Sequence, residues 1–107
     1  MNLNTKMAIS KWIKQTFKTK NDFESFLNFA ELHSYVLDGK QLLPEYLKQY
    51  NNLRNQYLSI YQTIVNMPLF TITERYGKVM EQEKRTPLNY IEMTYGTDEK
   101  LRNTLYK

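Results

Sequence analysis

Apolar side chains recur along residues 46–67 at alternating steps of four and three: Tyr46, Tyr50, Leu53, Tyr57, Ile60, Ile64 and Met67. That rhythm places all seven on one seam of an α-helix. Pro44 suits the first helical position, where its missing amide hydrogen would have no partner anyway, and Pro68 stops the helix near Met67. A helix over about 44–67 is therefore predicted, about 33 Å long at about 1.5 Å per residue. It is the long central element of whatever the chain builds.

The same period appears on both sides of it. Ile9, Trp12, Ile13 and Phe17 predict a helix over residues 6–19, with Lys11, Lys14 and Lys18 on the opposite side. Asn21 and Glu24 have the spacing of a capping box, so a second helix is expected to start there and run to Gly39, which can take the positive φ of a helix stop. Phe23, Phe26, Leu27, Ala30 and Leu37 share one of its faces and Phe29, Leu32 and Val36 another. An apolar arc that wide marks the most buried helix.

Beyond Pro68, Thr71 and Glu74 form another capping-box pattern, with Ile72, Tyr76, Val79 and Met80 as a helical face, and a helix is the favoured reading. The stretch LFTIT also alternates, and Tyr76-Gly77 would suit a hairpin turn. Thr86-Pro87 opens a helix carrying Leu88, Ile91 and Tyr95, which Gly96 ends, and Thr97 is placed to cap a last helix with Leu101 and Leu105. The fold class that follows is all-α, a compact single-domain bundle of five or six helices over residues 1–107.

Composition agrees with one modest core: the chain has 107 residues, 41% of them apolar and 24% charged. Without cysteine, disulfides, thiolate nucleophiles and thiolate zinc sites are excluded. No apolar run is long enough for a membrane span, and none follows the N-terminal lysines as a signal peptide requires, so a cytoplasmic chain is expected. The net charge of +4 is unevenly placed. Residues 1–20 hold Lys6, Lys11, Lys14, Lys18 and Lys20 with no acid, whereas residues 21–45 hold Asp22, Glu24, Glu31, Asp38 and Glu45 against Lys40 alone. Either the two segments pack together and neutralise each other, or the lysines face a nucleic acid, a membrane or an acidic protein.

Reactive constellations are sparse. His33 is the single histidine, near the edge of the buried face of the second helix, and reads as a packed, hydrogen-bonded residue. No Glu-x-x-His or His-x-x-x-His pattern offers a metal site, and Glu24, Glu31 and Asp38 lie about 10 Å apart along a helix, too far to converge on one cation. Gly39, Gly77 and Gly96 cannot form a phosphate-cradling loop. Ser10, Ser25, Ser34 and Ser59 all fall in predicted helices, without a nucleophile elbow. The sequence thus predicts no enzyme, no cofactor and no bound metal.

Residues 86–107 loosely resemble a helix-turn-helix: a helix, a turn at Tyr95-Gly96-Thr97, and a second helix offering Lys100, Arg102 and Asn103. The resemblance implies DNA or RNA binding through those three residues together with the N-terminal lysines. It departs from the pattern at Glu92, where a small residue usually lets the helices touch, and at Asp98 and Glu99, which phosphate would repel. The long central helix points elsewhere. Between Tyr46 and Met67 its only charges are Lys48 and Arg54, and Asn51, Asn52, Asn55, Gln56, Gln62 and Asn66 fill the remaining surface. Neutral amides and tyrosines leave water at less cost than charges do, and tyrosine is enriched at protein interfaces.

The function expected is that of a small non-catalytic binding or regulatory protein, of inhibitor, immunity or phage and mobile-element type. It would make stoichiometric contact with a protein partner through Tyr46, Arg54, Tyr57 and Tyr61 or through Lys11, Lys14 and Lys18. Nucleic-acid binding is the alternative, and a homodimer is compatible with either.

Overall fold

The apolar period over residues 6–19 becomes helix α1 (Leu3–Thr16) in the computed structural model, which describes residues 3–66, 73–75, 78–80 and 87–107. Ile9, Ile13 and, just past the helix end, Phe17 are buried, whereas Lys11, Lys14 and Lys18 are exposed, as the spacing predicts. Helix α2 (Lys20–Leu37) begins one residue before the expected Asn21. Its N-cap is Thr19, whose hydroxyl accepts a hydrogen bond from the Asp22 amide at 3.1 Å. Asn21 already lies in the first turn, and Glu24 turns away to Arg102, so the expected capping box does not form. The other end behaves as expected. Gly39 takes a φ of 78° and donates to the Val36 carbonyl, while Lys40 donates to the Tyr35 carbonyl, a Schellman closure.

Helix α3 (Pro44–Asn66) is the longest element at 23 residues and opens on Pro44. The stop expected at Pro68 lies outside the described residues. α3 returns antiparallel along α2, with Phe26 against Tyr57 (ring centroids 6.1 Å) and Phe29 against Tyr50 (5.7 Å) and Tyr61 (6.0 Å). Phe23, Phe26 and Phe29 are fully buried, which makes α2 the core of the bundle. The sequence reading placed Val36 and Leu37 in that core as well, but both are exposed, because the last turn of α2 runs beyond the helices that cover the rest.

Between α3 and the C-terminal helices the favoured helix is overturned. Residues 73–75 and 78–80 are strands β1 (Thr73–Arg75) and β2 (Lys78–Met80), paired antiparallel with Thr73 opposite Met80, Glu74 opposite Val79 and Arg75 opposite Lys78. With Arg75 paired to Lys78, only residues 76 and 77 separate the strands, the spacing of a tight hairpin. Thr71, Ile72, Tyr76 and Gly77, on which the two readings turned, lie outside the described residues.

Helix α4 (Pro87–Tyr95) starts at Pro87 and buries Leu88, Ile91 and Tyr95, as predicted. Helix α5 (Glu99–Leu105) is capped by Asp98 rather than Thr97, its carboxylate accepting from the Lys100 amide at 3.0 Å and the Leu101 amide at 3.3 Å. A charged acceptor there also meets the positive end of the helix dipole. The fold class is all-α: five helices among the described residues, packed around α2 and α3, with one short hairpin added. None of these helices is long and apolar enough to cross a membrane.

Two glycines are constrained for different reasons. Gly39 has open space around it but a positive φ, so Gly39→Ala should lower stability by about 1 kcal/mol through backbone strain. Gly96 has no such φ, but a Cβ there would run into the Glu92 carbonyl oxygen, so Gly96→Ala forces the α4–α5 turn to open. Thermal unfolding of the two variants should rank Gly96→Ala as the more damaging.

Candidate interaction surfaces

The tyrosines of α3 divide by burial rather than acting as one face. Tyr50 and Tyr57 are core, only 6% and 8% exposed. Tyr61 is half-buried, and Tyr46, near the start of the helix, is exposed. The expectation that Tyr57 offers itself to a partner is therefore corrected: its ring sits 6.3 Å from Phe17 and 6.1 Å from Phe26, and burial raises its hydroxyl pKa. Tyr61 packs edge-on to Phe29 and to His33, which leaves it little free surface. Arg54 is exposed, on a helix whose outward positions are otherwise mostly neutral amides.

His33 belongs to this aromatic stack. Its ring lies 5.2 Å from Phe29 and 5.9 Å from Tyr50, nearly parallel to both, and its Nδ1 shares a 2.7 Å hydrogen bond with the Tyr50 hydroxyl. Burial, reinforced by the nearby Arg54 charge, lowers its pKa from 6.5. The packed, hydrogen-bonded role expected for it is the one it has.

The N-terminal lysines do converge. Lys11, Lys14 and Lys18 line a shallow groove of about 650 Å³ between α1 and α5, together with Met7, Ser10, Gln15, Thr104 and Leu105. Among the described residues no acid lines it and no ion pair reaches the three lysines. Among the described residues, mutual neutralisation of the basic and acidic segments is confined to Lys20, which contacts Glu24 at 3.8 Å and also reaches Glu99 of α5 at 3.5 Å. Met7 is 61% exposed, and Leu105 supplies the facing apolar wall. The sequence reading did not select these two. Met7 precedes Lys11 by four residues and so falls on the lysine stripe rather than the core face, a signal that was present in the spacing.

α5 and the residue after it are tied by polar contacts to the end of α1, to α2 and to α4. The Tyr106 hydroxyl donates to the Phe17 carbonyl at 2.8 Å, and burial, with the Asp22 charge behind it, pushes its pKa up to about 12. Arg102 reaches across to Glu24 at 3.2 Å and donates to the Tyr95 carbonyl. Of the three residues marked for nucleic-acid reading, Lys100 and Asn103 are exposed but Arg102 faces inward and is occupied.

A second groove, of about 430 Å³, runs between α2 and the α4–α5 turn and is lined by Glu24, Leu27, Asn28, Glu31, Ser34, Glu92, Gly96, Thr97 and Arg102. Burial, with Glu31 adding repulsion, raises the Glu92 carboxyl above its ordinary 4.5. The described residues hold no cluster of three or more histidine or acidic side chains placed to bind a metal. A third feature is apolar: Tyr35, Val36, Leu37, Leu43, Tyr46 and Leu47 are exposed around the α2–α3 connection, with Lys40 5.2 Å above the Tyr35 ring. No protein-family model matches this chain, and no significant match exists to a curated protein or to a solved structure.

Truncation separates the tyrosines. Tyr57→Ala should lower stability by about 3 kcal/mol, the scale of losing a buried ring, and Tyr46→Ala by no more than about 0.5 kcal/mol, as read by urea unfolding. The two shifted groups near the core act on pH dependence with opposite signs. Glu92 takes up its proton in the fold at a pH where the unfolded chain has not, so its contribution to stability falls as pH rises above 4.5. Glu92→Gln should therefore stabilise the protein at neutral pH, with the gain vanishing below 4.5. His33 is protonated first in the unfolded chain, so it withdraws stability as pH falls through 6.5, and His33→Gln should flatten that slope in a pH series of unfolding midpoints.

Proposed function

We propose that this chain is a non-catalytic binding protein that acts by stoichiometric contact with a partner protein. The observation that carries the reading is the α1–α5 groove, where three exposed lysines, without ion pairs among the described residues, rim an apolar floor. Surfaces that combine apolar contact with unpaired charge of one sign are suited to a complementary macromolecule. Tyr46 and Arg54 on α3 remain exposed and belong to a different part of the surface, whereas Tyr57 and Tyr61 serve the core. The engagement of His33 with Tyr50 also supports a role in contact rather than turnover, because the one imidazole is tied into the bundle. Inhibitors, immunity proteins and regulators of phage or mobile-element type are the classes this reading fits.

A nucleic acid would use the same lysines together with Lys100 and Asn103, but Arg102, the group best shaped for bidentate phosphate contact, is already committed to Glu24. The test is capture from extracts of the organism that encodes the chain, using the wild type and a Lys14→Glu/Lys18→Glu variant. A partner protein retained in equal molar amount by the wild type and lost from the variant is the expected result. The reading fails if nothing is retained stoichiometrically, or if duplex DNA binds at low salt with an affinity that falls steeply as salt rises.

A further inference from the structure

The stripe that rims the groove has a period. Met7, Lys11 and Lys14 follow one another at steps of four and three, so along α1 they are spaced about 6 and about 4.5 Å apart, over about two helical turns, and Lys18 lies just past the helix end. A second α-helix laid alongside repeats its own side chains at the same two intervals, i to i+3 and i to i+4. An extended strand repeats same-side groups at about 6.8 Å and falls out of register with them. The floor is apolar where Met7 and Leu105 face each other, and Ser10, Gln15 and Thr104 add neutral polar groups but no acid.

We infer that the groove receives an amphipathic α-helix of the partner protein, with carboxylates at i and i+3 or i+4 set against Lys11 and Lys14 beside its apolar stripe. This rests on the proposed role as a protein-binding chain and names the chemistry of what it binds. Charge complementarity chooses the occupant: two ammonium groups in helical register on α1 and a third just past its end, with no acid among the described lining residues, match a row of glutamates. The apolar floor gives the helix's leucine or isoleucine side chains a place to leave water, the usual mode of helix-in-groove recognition. A phosphate backbone makes poor use of Met7 and Leu105, and among the described lining residues no aromatic ring offers a base a surface to stack on.

The probe is a fluorescent peptide of about 18 residues with leucines at helical spacing and glutamates flanking them. Its controls are a scrambled peptide of equal composition and charge, and a duplex DNA. Fluorescence anisotropy at about 0.15 M salt should show the amphipathic peptide binding at least about tenfold more tightly than its scramble, with the peptide gaining helicity. Lys14→Glu and Met7→Glu should each weaken binding by about tenfold. Both alter exposed side chains, and far-UV circular dichroism checks that the bundle is intact. Glu45→Lys, at the α2–α3 corner, should change nothing.

Equal binding of the scramble, indifference to Met7→Glu, or preference for the duplex would each overturn the inference. If the peptide fails while capture of the natural partner still depends on Lys14 and Lys18, the helical occupant is wrong and the binding role stands. If both fail, the role falls with it.

Discussion

Phe26 and Phe29 of α2 meet tyrosines on α3 while Phe23 meets Tyr95 and Tyr106, and the rest of the bundle is arranged around the polar tips this packing carries inside. A buried phenylalanine requires only close neighbours, but a buried tyrosine also requires a hydrogen-bond partner for its hydroxyl. Tyr50 finds His33, Tyr95 shares a 3.2 Å bond with Ser10 of α1, and Tyr106 reaches the backbone at Phe17. The first joins the consecutive helices α2 and α3, and the other two join segments 85 and 89 residues apart. The hydroxyls therefore act as registration points that fix α1, α4 and α5 against an aromatic centre which, by itself, would tolerate sliding. Among the described residues no fully buried side-chain polar atom is left without a partner.

That arrangement also decides what remains outside. Because the α3 seam is turned inward, the tyrosines that looked like an adhesive face are mostly structural, and the outward face of α3 is left to amides. Lys11 and Lys14 of α1, with Lys18 just past its end, stand opposite its core face, and the ion pairs that might have absorbed them are spent on Lys20 and Arg102, both at the junction of α2 with α5. The groove's charge is thus a by-product of how the acidic segment was used. Glu24 serves α5, Asp38 ends α2, and Glu31 faces the groove that holds Glu92.

Most of the helical architecture was legible in the spacing of apolar residues, because α1 to α3 are long enough for a 3.6-residue period to repeat several times. Pro44, Pro87 and Gly39 marked ends that the backbone confirms. The caps were less legible, since Thr19 and Asp98 each had a neighbour two or one residues away with suitable chemistry, and the choice depended on partners such as Arg102 that lie 78 residues from Glu24. Residues 73–80 offered too few positions for either period to win, and hydrogen bonding between strands, not local pattern, made the hairpin. The lysine ridge could be read as a ridge. That it formed one side of a groove could not, because Thr104 and Leu105 reach it from the opposite end of the chain.

Helix α5 has only seven residues, too few to persist in water without support from the bundle. It is anchored by an Asp98 cap, two ion-pair contacts and the Tyr106 bond, whereas the facing wall is a fourteen-residue helix with its apolar side in the core. One jaw of the cleft is thus seated by its own core face and the other by tethers. Added electrolyte would screen the lysines and the two ion pairs but leave the Asp98 cap and the Tyr106 bond in place.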